Sequence, residues 1–121
     1  MKLMIVDDSN IIRKAIEKYS HKFNLDLVAT AGDGATAVEL FKIHLPDIMT
    51  LDITMPEMDG LAVLDAVMAI KPSTKVIVIS AQSDKSTALS ALEKGAADFI
   101  GKPFGEEKLS AVLARILGSD A

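Results

Sequence analysis

No cysteine occurs among the 121 residues, which rules out a disulfide framework and any thiolate-ligated metal centre. No apolar run approaches the roughly 20 residues of a membrane span. The run that opens the chain breaks on Asp7 and Asp8 and is too short for a signal peptide. An excess of positive charge is absent: with a formal net charge of −4 and acids interleaved with bases, no basic stripe is offered to nucleic acid, and an anionic membrane surface is disfavoured. Only four prolines occur, and Pro46, Pro56, Pro72 and Pro103 all fall between periodic stretches. These absences point to a cytoplasmic protein whose partners are neither nucleic acid nor membrane. The length suits a single domain spanning residues 1–121, large enough to bury roughly two-thirds of its unfolded surface.

What is present is organised around Asp47-Ile48-Met49-Thr50-Leu51-Asp52. This short apolar run between Pro46 and Pro56 reads as a buried strand rather than a helix. Around it, Lys2–Val6 reads as a strand, and Ser9 as the N-cap of a helix over Asn10–Lys22. Leu25–Thr30 is a second strand, Gly32-Asp33-Gly34 a turn, and Ala35–His44 a helix with Val38, Phe41 and Leu45 inward. Met58-Asp59-Gly60 is a tight loop in which Gly60 takes a positive φ. Leu61, Leu64, Val67 and Met68 mark a third helix ending near Lys71-Pro72, and Lys75–Ser80 is a β-branched strand. Ser83 or Asp84 caps a fourth helix with Ala88, Leu89, Leu92 and Ala96 on its inner face and Gly95 just past its end. Ala97–Gly101 is a short strand. Gly105–Leu117 is the last helix, with Leu109, Val112, Leu113 and Ile116 inward. Five β-α units imply an α/β fold: an open five-stranded parallel sheet with right-handed crossovers and helices on both faces. The flavodoxin-type strand order 2-1-3-4-5 follows as the natural arrangement.

In that order the carboxyl ends of strands 1 and 3 meet, so Asp7, Asp8 and Asp52 share one pocket bordered by Ser80 and Lys102. Carboxylates about 4 Å apart repel by on the order of 4 kcal/mol per pair at an effective dielectric near 20, so such a group persists with a cation. All-oxygen donors suit Mg2+, Mn2+ or Ca2+ better than zinc, and an ammonium on a flexible stem suits a phosphoryl oxygen. Taken singly, Asp7-Asp8 could be an acidic helix cap, Ser80 a turn residue, Lys102 a solvated lysine and Phe99 a core residue. Their arrival together at four strand ends of one sheet favours a site built for an acyl phosphate on an aspartate.

Val6-Asp7-Asp8-Ser9, Asp47 through Gly60, Ser80-Ala81 and Lys102-Pro103-Phe104 resemble the response-regulator receiver domain of two-component signalling, in its CheY-like single-domain form. The resemblance implies that Asp52 accepts a phosphoryl group from a phosphohistidine of a sensor histidine kinase. It implies Mg2+ held by Asp8, Asp52 and the Thr54 carbonyl, with Asp7 acting through water. It also implies contact of Lys102 with the phosphoryl group, a Ser80 that swings toward it, an aromatic Phe99 that turns inward, and a cis peptide before Pro103. Thr54 and Gln82, each two residues past a site residue, would tune dephosphorylation. The readout surface implied is helix 4, strand 5 and helix 5, acting as a monomer on a downstream target protein. If the chain is the whole gene product, the lack of an effector domain after Leu117 implies output through protein contact. Control of a flagellar motor in chemotaxis is the first expectation; a phosphorelay intermediate, or the isolated receiver of a larger transcriptional regulator, are the alternatives. In this reading the protein is not an enzyme in the ordinary sense, although it catalyses its own phosphotransfer and hydrolysis. From another class, an aspartate-nucleophile phosphohydrolase would carry an Asp-x-Asp motif on the first strand, which Asp7-Asp8-Ser9 does not match. A nucleotide-binding flavodoxin would need a glycine loop that strand 1 does not precede.

Overall fold

A computed structural model describes residues 1–55, 59–82 and 84–118. The expectations placed on Pro56, Met58 and a Ser83 cap lie outside the described residues. The element order is β1 (Lys2–Val6), α1 (Asn10–Ser20), a 3-10 turn (His21–Phe23), β2 (Asp26–Ala31), α2 (Gly34–His44), β3 (Ile48–Asp52), α3 (Gly60–Ile70), β4 (Lys75–Ser80), α4 (Lys85–Glu93), β5 (Asp98–Gly101) and α5 (Glu106–Ile116). All strand pairs are parallel, in the order β2-β1-β3-β4-β5. Among the described residues, no helix is long and apolar enough to cross a membrane.

The strands are apolar on both faces because both are covered. Alternate residues divide between them. Met4, Val6, Met49, Leu51, Val76 and Val78 face α2, α3 and α4, packing on Phe41, Val63, Leu64, Val67 and Ala91. Leu3, Ile5, Ile48, Ile77, Ile79 and Ile100 face α1 and α5, packing on Ile16, Leu109, Val112 and Leu113. Side-chain caps start four of the helices: Ser9 accepts from the Ile12 amide, Asp33 from Thr36, Asp59 from Leu61 and Ala62, and Asp84 from Thr87.

Several local expectations change. Gly32-Asp33-Gly34 is not a free turn, since Asp33 caps α2 and Gly34 is its first residue. Leu45 does not face inward: as the C-cap it takes a left-handed φ of 45° and lies largely exposed. Gly60 has no positive φ. It is required because a Cβ there would stand 2.3 Å from Ile53 Cα, so α3 can begin against the β3–α3 loop only without a side chain. Among the glycines of the described residues, positive φ falls at Gly95, as expected past α4, and at Gly118. On α4 the buried residue is Ala91, whereas Leu89 and Leu92 are 50% and 44% exposed. The close approach of α4 to the sheet selects the small side chain, so the larger ones point outward.

Opposite the carboxyl edge, Asp47 ties the strand beginnings together. Its Oδ2 accepts the Lys2 amide at 2.8 Å and its Oδ1 accepts Lys71 Nζ at 3.3 Å. The backbone hydrogen bond from Lys2, with Lys71 behind it, holds this carboxyl below its ordinary pKa. A carboxylate lowered in the folded state contributes stability above its unfolded pKa and loses it as pH falls through the folded value. Asp47→Asn is therefore expected to lower the melting temperature at neutral pH. The gap to the wild type should close as melts are repeated below the ordinary carboxylate range.

Candidate functional site at the carboxyl edge of the sheet

Register brings the acids together. Val6 pairs with Leu51 across β1 and β3, so the next residues along, Asp7 and Asp52, fall side by side. Asp52 pairs with Ile79 on β4, and Ser80 with Gly101 on β5, which places Lys102 one step beyond. The carboxylates of Asp7, Asp8 and Asp52 can place one oxygen each within 4.8 Å of one another. Asp7, Asp52 and Ser80 are buried, while Asp8 is exposed.

Each oxygen has a definite environment. Asp52 Oδ1 accepts the Thr54 amide at 2.8 Å and the Thr54 hydroxyl at 2.7 Å. Asp52 Oδ2 accepts Lys102 Nζ at 3.1 Å. Asp7 Oδ1 accepts the Ser9 amide at 2.9 Å. Asp7 Oδ2 lies 3.0 Å from the same Lys102 ammonium but off the hydrogen-bond direction, so it is an ion-pair contact with no hydrogen bond of its own. Burial pushes the Asp7 carboxyl above the ordinary carboxylate pKa; the Ser9 amide and Lys102 counter this, and the charge of Asp52 adds to it. Burial also works against the Lys102 ammonium, but its close contacts with the Asp7 and Asp52 carboxylates and their charge prevail, and its pKa is raised.

All five residues expected at this edge are therefore gathered, with Lys102 as the shared partner of two acids from different strands. The Lys102–Pro103 bond is cis, as the resemblance implied. Ser80 Oγ accepts the Gln82 amide at 2.9 Å, and the Ser80 carbonyl accepts the Lys102 amide at 2.8 Å. Gln82 itself is exposed. Phe99 is half-buried, paired in register with Val78 and packed against the core on the α4 side. His21 and His44 sit at helix ends, His21 as the C-cap of α1 and His44 as the last residue of α2.

Three features were not foreseen. The Arg13 guanidinium donates to the Asp7 carbonyl. The Ala81 amide reaches the Thr54 hydroxyl at 3.5 Å, linking the β4 end to Asp52 through one side chain. A cleft of about 380 Å3 opens beside Lys102, lined by Ile12, Ala81, Lys102, Pro103 and Phe104. Only the helical position of Ile12 and Arg13 was visible in the sequence; their nearness to the strand ends follows from how α1 lies on the sheet.

The donor set fits a hard divalent cation. It offers carboxylate oxygens without nitrogen or sulfur, and one of them, Asp7 Oδ2, is buried without a hydrogen bond.

Comparison with known proteins agrees with this geometry. A chemotaxis protein CheY of Listeria monocytogenes is 44% identical over 115 residues, covering 95% of this chain and 97% of that protein. The chemotaxis protein CheY of Bacillus subtilis is 39% identical over 116 residues, covering 96% and 97%. Among solved structures, the CheX-CheY-BeF3-Mg2+ complex from Borrelia burgdorferi contains a chain that superposes with a TM-score of 0.91 at 35% identity, covering 97% of this chain and 89% of that one. A family model of the response regulator receiver domain matches residues 3–114, and the chain belongs to that family.

Proposed function

We propose that this protein is a phosphorylation-activated switch in chemotaxis signalling, with Asp52 as the phosphoacceptor and a sensor histidine kinase as the donor. The observation that carries the reading is the convergence of Asp7, Asp8 and Lys102 on Asp52, a buried carboxylate at the carboxyl end of the central strand. Asp8, Asp52 and the Thr54 carbonyl would hold Mg2+, with Asp7 acting through water. Bound Mg2+ supplies positive charge against the phosphoryl oxygens.

In the transfer, one Asp52 oxygen attacks phosphorus, the P–N bond to the donor imidazole breaks, and the bonding pair stays on the imidazole nitrogen. Lys102, already in contact with Asp52 Oδ2, remains beside the new acyl phosphate and neutralises part of its charge. In hydrolysis, water attacks phosphorus, the Asp52 oxygen leaves as carboxylate and inorganic phosphate departs. Thr54 and Gln82 border that water's path and set the lifetime of the signal.

The added phosphoryl oxygens offer acceptors that Ser80 meets by giving up its bond to the Gln82 amide, and Phe99 follows inward into the space released. The arrangement that binds the phosphoryl group better is thereby favoured. The target then docks on α4, β5 and α5, where Leu89 and Leu92 already stand exposed, and the switch acts as a monomer.

The test is intact-mass spectrometry with acetyl phosphate and Mg2+. The wild type is expected to gain one phosphoryl group per chain, and Asp52→Asn none. A Gln82→Ala variant is expected to label fully but to lose the label at a rate changed severalfold, with its melting temperature nearly unmoved. Continuous turnover of a phosphomonoester would instead mark a hydrolase and overturn the proposal.

A further inference from the structure

Arg13 lies half-buried in the second turn of α1, and the phosphotransfer scheme gives it no part. Its Nη1 donates to the Asp7 carbonyl oxygen, and its Nη2 donates to Asn10 Oδ1 at 3.4 Å. From the other side, Gly32 of the β2–α2 loop approaches closely. A Cβ on Gly32 would stand 3.3 Å from Arg13 Nη1, 3.8 Å from the Asp7 carbonyl oxygen and 3.9 Å from Asp8 Cα. The guanidinium therefore fills a slot bounded by the end of β1, the start of α1 and a loop that follows a different strand.

The carbonyl it holds belongs to the peptide joining Asp7 to Asp8. At that peptide the chain leaves the sheet. The Asp7 amide still donates to Ala31 O at 3.0 Å, whereas two residues later Ser9 already caps α1. Asp8 is exposed, so the direction in which its side chain leaves depends on the backbone beneath it. A charge-assisted hydrogen bond to that carbonyl, in a half-buried slot, fixes the peptide plane. The directions of both acids toward Asp52 are fixed with it.

We infer that Arg13 is a positioning residue for divalent-cation binding, acting through the Asp7–Asp8 peptide rather than on the ion. The inference rests on reading the acidic cluster as the Mg2+ site. Charge and position make opposite predictions here. A guanidinium near three acids opposes a dication, so deleting its charge alone would tighten binding. Deleting the bond that orders two of the acids loosens it. The bond is local and partly buried, whereas the charge is screened by solvent and salt, so position prevails.

The experiment is calorimetric titration of Mg2+ into the folded protein, with metal-free melts alongside. The variants are Arg13→Gln, Gly32→Ala and, as a charge control, Lys14→Gln, which removes a positive charge from an exposed position of the same helix. Arg13→Gln is expected to weaken Mg2+ binding about tenfold, the lower end of what loss of a partner behind a metal ligand costs. Gly32→Ala, which crowds the guanidinium from outside, should weaken it in the same direction by less. Lys14→Gln should match the wild type or bind slightly more tightly. Mg2+ binding by Arg13→Gln as tight as the wild type or tighter overturns the inference and leaves the Mg2+ site standing, even if its metal-free melting temperature falls. A wild type that takes up no Mg2+ overturns both.

Discussion

Lys102→Met is expected to destabilise the metal-free protein by about 3 kcal/mol, at the lower end of what breaking a buried ion pair costs, and to make its stability strongly dependent on Mg2+. Lys102 stands 3.0 Å from Asp7 Oδ2 and 3.1 Å from Asp52 Oδ2, and both acids are buried. Methionine keeps much of the stem's volume but leaves two neighbouring carboxylates without their shared cation. The wild type avoids that state because each acid draws on the same ammonium, which is also why the Lys102 pKa rises despite burial. Adding Mg2+ should recover part of the loss, since a ligand that binds only the folded form stabilises it by mass action. Urea unfolding of wild type and variant, with and without Mg2+, measures both. A loss under about 0.5 kcal/mol, the range of ordinary surface substitutions, would show that the ammonium adds nothing to the metal-free fold. A recovery no larger than the wild type's own response would show that the ion does not replace it.

The part of this arrangement that was readable in the sequence is the part that topology dictates. Strand positions follow from short apolar runs ending on Asp7, Asp52 and Ser80. Once five β-α units force a parallel sheet, the edge at which those ends meet follows as well. The order β2-β1-β3-β4-β5 and the gathering of Asp7, Asp8 and Asp52 needed no side-chain detail. What was misread depends on how closely elements approach. A pattern that ranks residues by hydrophobic size turns Leu89 and Leu92 inward, yet the tight seating of α4 buries Ala91 instead. Gly60 reads as a flexible turn residue, although its role is to leave room for Ile53. Arg13 and Ala81 each reach, by a hydrogen bond, an atom that is near in space but not marked in sequence, and the Thr54 hydroxyl adds a bond to Asp52 that its expected roles did not include. Lys102 was read as a phosphate contact alone; that it also bridges Asp7 and Asp52 comes from the register of β5 against β4.

Asp7→Asn should do the opposite of the lysine change: it is expected to stabilise the metal-free protein at neutral pH by roughly 1 kcal/mol, the size of one unfavourable charge contact discounted for its attraction to Lys102, while abolishing most of the stabilisation by Mg2+. Burial raises the Asp7 carboxyl above its ordinary pKa, and the charge of Asp52 adds to the rise. A group raised in the folded state contributes its full stability below its unfolded pKa and loses it as pH climbs through the folded value. At neutral pH the charged form of Asp7 is thus the costly one, and the amide escapes that cost. Asparagine retains an oxygen for the Ser9 amide, bonded to Asp7 Oδ1 at 2.9 Å, so the start of α1 is preserved. Lys102 keeps its bond to Asp52. The advantage of the variant should therefore shrink as pH falls toward the ordinary carboxylate range, because wild-type Asp7, with its raised pKa, takes up its proton before that range is reached. Melts across that range in chelator trace the crossing, and the same melts in Mg2+ should reverse the ranking at neutral pH. A variant less stable than the wild type in chelator at neutral pH would mean that the pairing of Asp7 with Lys102 outweighs its burial, and that the acidic edge is balanced without any added cation.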